Sequence, residues 1–274
     1  MMIDTSTILC GIIGNPVKHS LSPAIHNAAA KYYNLNAVFL AFETKDPEGA
    51  VRAMRALSIK ELTVTIPYKE MVLRYVDKID AEAKELGNIN TIIQKDGVLT
   101  GYNTDIDGVA SALKGIPIKN RRVVIFGAGG AARTIGWYVA KNGAEVYIVN
   151  RDNKSGKHLA RACKGHYEPM DNLDSALRSV DPHIIVNATP VGMGSLEGQT
   201  LIQKNALKSG MVVFDVIYNP KKTQLIKDAL SAGCRVIGGE IMFLSQGARQ
   251  FELWSGKRAP INVMKRAFHA ALQR

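Results

Sequence analysis

Five short stretches of this 274-residue chain carry residue types that do chemistry in company. Lys18-His19-Ser20-Leu21-Ser22-Pro23 sets two hydroxyls around one leucine at a helix start. There they either cap the helix or hold a carboxylate with help from the helix dipole. Thr63-Val64-Thr65-Ile66-Pro67-Tyr68-Lys69-Glu70 puts a lysine after a strand and a proline-fixed turn. Such a lysine is ordinarily solvated, and only partners make it a catalytic acid. Asn88-Ile89-Asn90-Thr91 places amides ahead of a strand, and Tyr102-Asn103-Thr104-Asp105 ends on an acid. Asp105 is either the N-cap of a helix over 106–113 or the partner of Lys69 in handling the proton that accompanies hydride transfer. Spacing alone leaves these choices open.

The fifth stretch, Gly127-Ala128-Gly129-Gly130-Ala131-Ala132, fits a dinucleotide. Its first glycine permits a tight turn and its second lets backbone approach a pyrophosphate. The small third position lets helix and strand pack closely, and the helix N-terminus attracts the anion. The flanks agree. Arg122 to Phe126 is a short apolar run that reads as a buried strand. Arg133 to Lys141 reads as a helix closed by Asn142-Gly143, and a second strand follows at Glu145–Val149. In an NAD site an Asp or Glu about 20 residues past the glycines binds the ribose hydroxyls. Here the second strand ends in Asn150-Arg151, with Lys154 and Lys157 beyond. Cations at that point neutralise a 2′-phosphate, so the cofactor expected is NADP. Asp152 opposes that preference, and a solvated basic loop is the plainer reading of the same residues.

The elements that must position these groups alternate between strand and helix. Strands are expected at 8–13, 37–42 and 61–65, with helices from Ser22-Pro23 to about Asn34 and from Asp46-Pro47 to Leu57. Thr91–Ile93 and Val98–Thr100 around Lys95-Asp96-Gly97 suggest a hairpin. Further strands are expected at 184–187, 212–216 and 235–237, and helices at 223–232, 242–254 and 260–272. The fold class is therefore α/β in two domains, an N-terminal mostly parallel α/β substrate domain and a Rossmann-type dinucleotide-binding domain. The substrate domain is expected over 1–110, completed by helices from 240–274, and the nucleotide domain over 111–239. The boundary is expected within 105–120, near Lys114-Gly115-Ile116-Pro117.

Composition narrows the classes. The chain is 46% apolar and 22% charged, which is ordinary for a globular protein. No apolar run approaches the roughly 20 residues of a membrane span, and the first residues lack the pattern of a signal peptide. The three cysteines, Cys10, Cys163 and Cys234, show no paired spacing, which suggests a reducing cytoplasm and no metal site. The net charge of +11 is spread along the chain without a nucleic-acid motif. It suits the steering of an anionic small molecule. Small molecules are the expected partners, with neither nucleic acid nor membrane, and the chain itself is expected to be a monomer or homodimer.

Taken together the stretches resemble the shikimate dehydrogenase family, the shikimate and quinate dehydrogenases. Gly14 to Asn27 is similar to the family's opening signature, Thr63–Glu70 to its second and Gly101–Asp105 to its third. Gly127–Arg133 with Asn150-Arg151, then Asn187–Met193, Asp215–Pro220 and Gly239–Gly247, continue the match in order over nearly the whole chain. The resemblance implies reversible NADPH-dependent reduction of 3-dehydroshikimate to shikimate, on the way to chorismate and the aromatic amino acids. It implies Lys69 and Asp105 as the catalytic pair. Ser20 and Ser22 would bind the substrate carboxylate, Thr65, Asn90 and Gln246 its ring hydroxyls, and Tyr218 would line the site. On the cofactor side it implies Gly127, Ala128, Gly129, Gly130, Ala131, Asn150, Arg151, Lys154, Thr189, Gly239 and Met242. Two departures stand out. Ile106 follows Asp105 where the family usually has glycine, and Asp152 follows Arg151 where it usually has threonine. The second leaves a quinate/shikimate dehydrogenase using both NAD and NADP as the alternative.

Overall fold

The computed structural model describes residues 3–273, the side chains of 172–176 excepted. In chain order its strands and α-helices are β1 (Ile8–Gly14), α1 (Ser22–Tyr32), β2 (Ala37–Glu43), α2 (Pro47–Ala56), β3 (Glu61–Val64), β4 (Lys78–Ile79), α3 (Ala81–Leu86), β5 (Thr91–Lys95), β6 (Val98–Tyr102), α4 (Asp105–Ala112), β7 (Arg122–Phe126), α5 (Gly130–Lys141), β8 (Glu145–Asn150), α6 (Asn153–Ala162), β9 (His166–Pro169), α7 (Leu173–Val180), β10 (Ile184–Asn187), β11 (Val212–Asp215), α8 (Gln224–Ser231), β12 (Arg235–Gly238), α9 (Gly239–Ser255) and α10 (Ile261–Leu272). Among the described residues no helix is long and apolar enough to cross a membrane. The chain forms two compact units. One runs up to Asp107 and resumes at Leu244, and the other is Gly108–Phe243. The first division falls inside α4, within the expected 105–120 stretch and seven residues before Lys114, and the second falls inside α9.

The first unit holds a six-stranded sheet in the order β2-β1-β3-β5-β6-β4. It is mixed: β1 is parallel to both β2 and β3, whereas β5 is antiparallel to β3 and β6. The antiparallel step comes from the hairpin read in the sequence. Asp96 and Gly97 both have positive φ, 50° and 78°, and Lys95 pairs with Val98 across them. Two left-handed residues give the turn whose twist matches that of the paired strands. One face of the sheet buries Ile13, Leu62, Val64 and Ile92 against Val51 and Met54 of α2.

The second unit is a parallel sheet in the order β12-β11-β10-β7-β8-β9. Read from the other edge, its strands follow the doubly wound order 3-2-1-4-5-6. The uninterrupted apolar run of β7 has its cause here, because Val123 and Ile125 pack with Ile135 and Val139 on one face. Val124 and Phe126 pack with Leu177, Ile185 and Val213 on the other. A parallel strand covered on both faces cannot alternate polar with apolar.

Glu61 lies in β3 in the middle of the first sheet and is fully buried. Thr63 Oγ1 donates to its Oε1 at 2.7 Å, and its Oε2 has no partner among the described residues. Burial outweighs that one hydrogen bond and pushes the Glu61 pKa up from 4.5 to about 8. The folded state thus holds the proton more tightly than the unfolded chain, and stability falls as pH rises from 4.5 through about 8. Glu61→Gln removes that dependence. Thermal unfolding across this window should show the variant gaining on the parent as pH rises, by on the order of a few kcal/mol at the alkaline end. A difference that does not change with pH would mean that Glu61 is not the titrating group.

Candidate active site

Strand direction assembles the polar stretches of the first unit. β1 and β3 run parallel and end at the same edge, at Gly14 and Val64. β5 starts there, with Thr91 opposite Thr63, and β6 returns there, with Tyr102 opposite Thr91. The segments 15–22, 65–70, 88–90 and 103–105 therefore all leave one sheet edge. Gly14 lets the first lie against the second: a Cβ built on it would stand 2.4 Å from Thr65 Cγ2. Asn15 N donates to Ile66 O at 3.1 Å, and Ile89 N donates to Lys69 O at 2.9 Å.

Lys69 Nζ donates to Asp105 Oδ2 at 2.5 Å, and both side chains are largely buried, at 19% and 11% exposure. The N-cap reading of Asp105 is thereby corrected. Asp105 is the first residue of α4, and Asn103 Oδ1 accepts from its backbone N at 3.1 Å. Asn103 also donates from Nδ2 to Asn88 Oδ1 at 2.5 Å, which ties the two asparagine segments together. With the local cap supplied by Asn103, the Asp105 carboxylate is left to hold the lysine.

The serine pair divides differently from the expectation that Ser22 caps α1. Leu21 occupies the N-cap position without a side-chain cap, and Ser22 opens the helix. Ser20 Oγ instead accepts from Ser22 N at 3.2 Å. Ser22 is buried at 2% exposure. Asn90 is equally buried, and its Oδ1 accepts from Thr104 N at 2.8 Å. Gln246 belongs to α9 and is buried in this unit. Its neighbour Gly247 allows α9 close to α1, since a Cβ there would come 2.6 Å from Ile25 Cδ1. Of the family's usual glycine after Asp105 nothing is needed here, because Ile106 is simply buried in the first turn of α4.

The residues expected to meet a nucleotide lie in the second unit. Gly127 has φ +103°, and a Cβ on it would stand 2.8 Å from Ala188 O. Only glycine fits that backbone. Gly129 is the N-cap of α5 and has no side chain to bond its first N–H groups, which leaves them for an anion. Ala128 sits in the turn, and Gly130 and Ala131 open the helix. Gly239 is crowded more tightly, with a Cβ there only 2.0 Å from Val216 O. Thr189 donates from both N and Oγ1 to Asn187 Oδ1, at 3.1 and 2.7 Å. Met242 is mostly buried in the core of this unit, and the Tyr218 ring lies 5.0 Å from that of Phe243.

Beside the glycine turn is a cavity of about 490 Å³ lined by Arg133, Lys154, Lys157, His158 and Arg161, and also by Asp152 and Ser155. Sequence reading missed Arg133, His158 and Arg161. The signal was present, because 154, 157, 158 and 161 repeat at the spacing of one helix face. Arg151 is exposed at the end of β8 and is not among the described residues of that wall. Asn150 donates to Asp152 O and Ser155 Oγ, both at 2.9 Å, and so shapes the start of α6. Asp152 itself is the N-cap of α6, accepting from Ser155 N at 2.8 Å. Hydrogen bonds from Ser155 hold its carboxyl below the usual range, so it stays anionic.

Three family models match this chain: "Shikimate dehydrogenase substrate binding domain" over residues 12–92, "Shikimate / quinate 5-dehydrogenase" over 109–224 and "Shikimate 5'-dehydrogenase C-terminal domain" over 241–267. A shikimate dehydrogenase (NADP(+)) of Dehalococcoides mccartyi is 41% identical over 96% of each chain. A crystal structure of a shikimate dehydrogenase in complex with NADP+ superposes with a TM-score of 0.89 at 36% identity, covering 100% of this chain and 98% of the other. The Listeria monocytogenes enzyme, in complex with shikimate and NAD, superposes at 0.90 with 34% identity, covering 97% and 98%.

The two roles of Asp152, cap and anion, are separable. Asp152→Asn keeps a capping oxygen and removes the charge, so kcat/KM with NADP should rise relative to NAD while the melting temperature stays put. Asp152→Ala should lose about 1 kcal/mol of stability with the cap. Unchanged nucleotide selectivity in Asp152→Asn would show that this carboxylate does not sense the 2′-phosphate.

Proposed function

This chain belongs to the shikimate dehydrogenase family, and we propose that it interconverts 3-dehydroshikimate and shikimate with NADP(H). The observation that carries the reading is the largely buried Lys69–Asp105 pair, at 2.5 Å, at the edge where the other polar segments converge. Ser20 and Ser22 take the substrate carboxylate in this reading, and Thr65, Asn90 and Gln246 its ring hydroxyls.

The residues of the second unit fit a dinucleotide carrying a 2′-phosphate. The backbone at Gly127 leaves no space for a side chain, the N-terminus of α5 is open, and the nearby cavity is lined with cations. Gly127, Gly129 and Gly130 would hold the pyrophosphate, Thr189, Gly239 and Met242 the nicotinamide side, and Arg133, Lys154 and Arg161 the phosphate. Arg151 joins them by its place in the family's motif. When bound, the nicotinamide supplies the hydride for reduction.

The chain's own part is position and charge. As negative charge develops on the ketone oxygen, the Lys69 ammonium stabilises it and gives up a proton to it. Asp105 fixes where Nζ stands. In oxidation the same lysine receives the proton of the hydroxyl. The work needs neither a metal nor a covalent intermediate in this reading. A monomeric or homodimeric enzyme of the cytoplasm is part of the proposal, and sedimentation checks the first of these.

The test follows nicotinamide absorbance with shikimate and quinate, each with NADP and NAD. The reading expects shikimate with NADP to be the best pair, and quinate with NAD as the best pair would overturn it. Lys69→Ala should lower kcat about 10²-fold or more, the scale for losing a general acid or base. The dissociation constant for shikimate should stay within a few-fold. Near-normal kcat would remove Lys69 from the mechanism. Asp105→Asn should be slow, and any fall in its melting temperature should come from the Lys69 charge left unpaired, since Asn103 still accepts from the backbone N of residue 105.

A further inference from the structure

A buried chain of hydrogen bonds leads from α1 to Asn90 through a glutamine that the reaction does not use. His26 Nε2 lies 3.2 Å from Gln250 Oε1. Gln250 Nε2 donates to Thr91 Oγ1 at 3.0 Å, and Thr91 Oγ1 donates to Asn90 Oδ1 at 2.8 Å. All four residues are at most 2% exposed. Gln250 comes from α9, one turn beyond Gln246.

One backbone group sets the direction of the whole chain. Thr104 N can only donate, so the Asn90 atom 2.8 Å from it is the oxygen. Thr104 Oγ1 and Thr91 Oγ1 point at the same oxygen, at 3.2 and 2.8 Å. Thr91 Oγ1 has one proton, which goes to Asn90 Oδ1 at 2.8 Å rather than to Thr104 Oγ1 at 3.4 Å. It therefore accepts from Gln250, whose nitrogen must face it. Gln250 Oε1 then faces His26, which must carry its proton on Nε2. Burial keeps His26 neutral, with a pKa of about 4, as this role requires. Asn90 Nδ2 makes no hydrogen bond among the described residues. It is the donor left for a ligand.

We propose that Gln250 is a positioning residue for the substrate: by donating to Thr91 Oγ1 it directs the Thr91 proton to Asn90 Oδ1, and so holds firm the orientation that Thr104 N sets, in which Asn90 presents its NH₂ to a ring hydroxyl. Without Gln250 the Thr91 hydroxyl is free to turn its proton to Thr104 Oγ1, 3.4 Å away, and Asn90 Oδ1 then loses one of its three donors. With Gln250 in place a rotated amide would set its NH₂ against the protons of Thr91 and Thr104. The inference rests on the reading of Asn90 as a substrate ligand. It adds that the hydroxyl Asn90 meets is an acceptor.

The experiment is steady-state oxidation of shikimate by the full chain. Gln250→Met keeps the shape and removes the donor, and Thr91→Val does the same one link on. Each should raise KM for shikimate about five-fold, the scale of one neutral hydrogen bond, with kcat and the KM for NADP nearly unchanged. Thr91→Ser restores the hydroxyl and should restore KM. In an Asn90→Ala background Gln250→Met should raise KM no further. A lower kcat or melting temperature at unchanged KM would reduce Gln250 to a structural part. A full additive effect in Asn90→Ala would show that it acts elsewhere, and either result overturns the proposal. If Gln250→Met does not fold, the Thr91→Val and Thr91→Ser pair decides. An unaltered KM in Asn90→Ala itself would remove Asn90 from the substrate site and the proposal with it. That outcome is distinct from an impaired Asn90→Ala beside an inert Gln250→Met.

Discussion

A lysine and an aspartate held together at 19% and 11% exposure set the terms for the rest of the first unit. Taking both charges largely out of water costs several kcal/mol unless geometry is good and remaining polar atoms are satisfied. The geometry comes from backbone. Lys69 is fixed through its carbonyl by Ile89 N, and Asp105 through its N–H by Asn103. Asn88 joins the two, bonding Asn103 from the segment that also carries Ile89. The pair is therefore mounted on three chain segments that leave one sheet edge. The segments gather there because β5 runs antiparallel to both β3 and β6, and so starts where those two strands end. An all-parallel sheet would have sent Asn90 and Asp105 to opposite ends.

The second unit meets a similar demand with a buried acid that is not paired to a cation. Asp215 is fully buried and accepts from Thr223 Oγ1, Asn187 Nδ2 and Ile217 N, at 2.6, 3.0 and 3.1 Å. Burial still pushes its pKa up. The hydrogen bonds orient Asn187, which in turn holds Thr189. The segment after β10 is thus fixed beside Gly127, whose backbone Ala188 crowds. In both units a hydrogen-bonded polar network stands behind the segments proposed to meet a ligand, and such networks rigidify what they join.

Much of this was legible in the sequence where a residue has one physical use. Gly127 to Ala132 reads as a phosphate turn because backbone conformation and close approach need those residues, and Asp96-Gly97 reads as a hairpin for the same kind of reason. Residues with two uses were not decidable. Asp105 and Asp152 are both acids at a helix start. The first proves to be an ion-pair partner and the second the cap. The difference is made by Asn103 and Lys69, which no local rule connects to them. Short elements such as β4 and α3 escaped because two to six residues carry no period. Gln250 escaped because its partners are 159 and 224 positions away.

The cations of α6 obey a looser constraint than the Lys69–Asp105 pair. Lys154, Lys157, His158 and Arg161 share one face of α6, and the opposite side of that helix does the packing. Leu159 and Ala160 are in the core, and Gly156 lies so near Tyr167 that a Cβ would stand 2.4 Å from its ring. Fold and charge are therefore carried by different residues of one helix. Exposed like charges on it cost little stability and are screened by salt. Their attraction for a 2′-phosphate adds to the steering expected from a chain of net charge +11. Nucleotide preference can thus change by substitution on this face while the sheet and its glycine turn stay as they are. The Lys69–Asp105 pair has no such freedom, because the segments that hold it are bonded to one another through Ile89, Asn88 and Asn103.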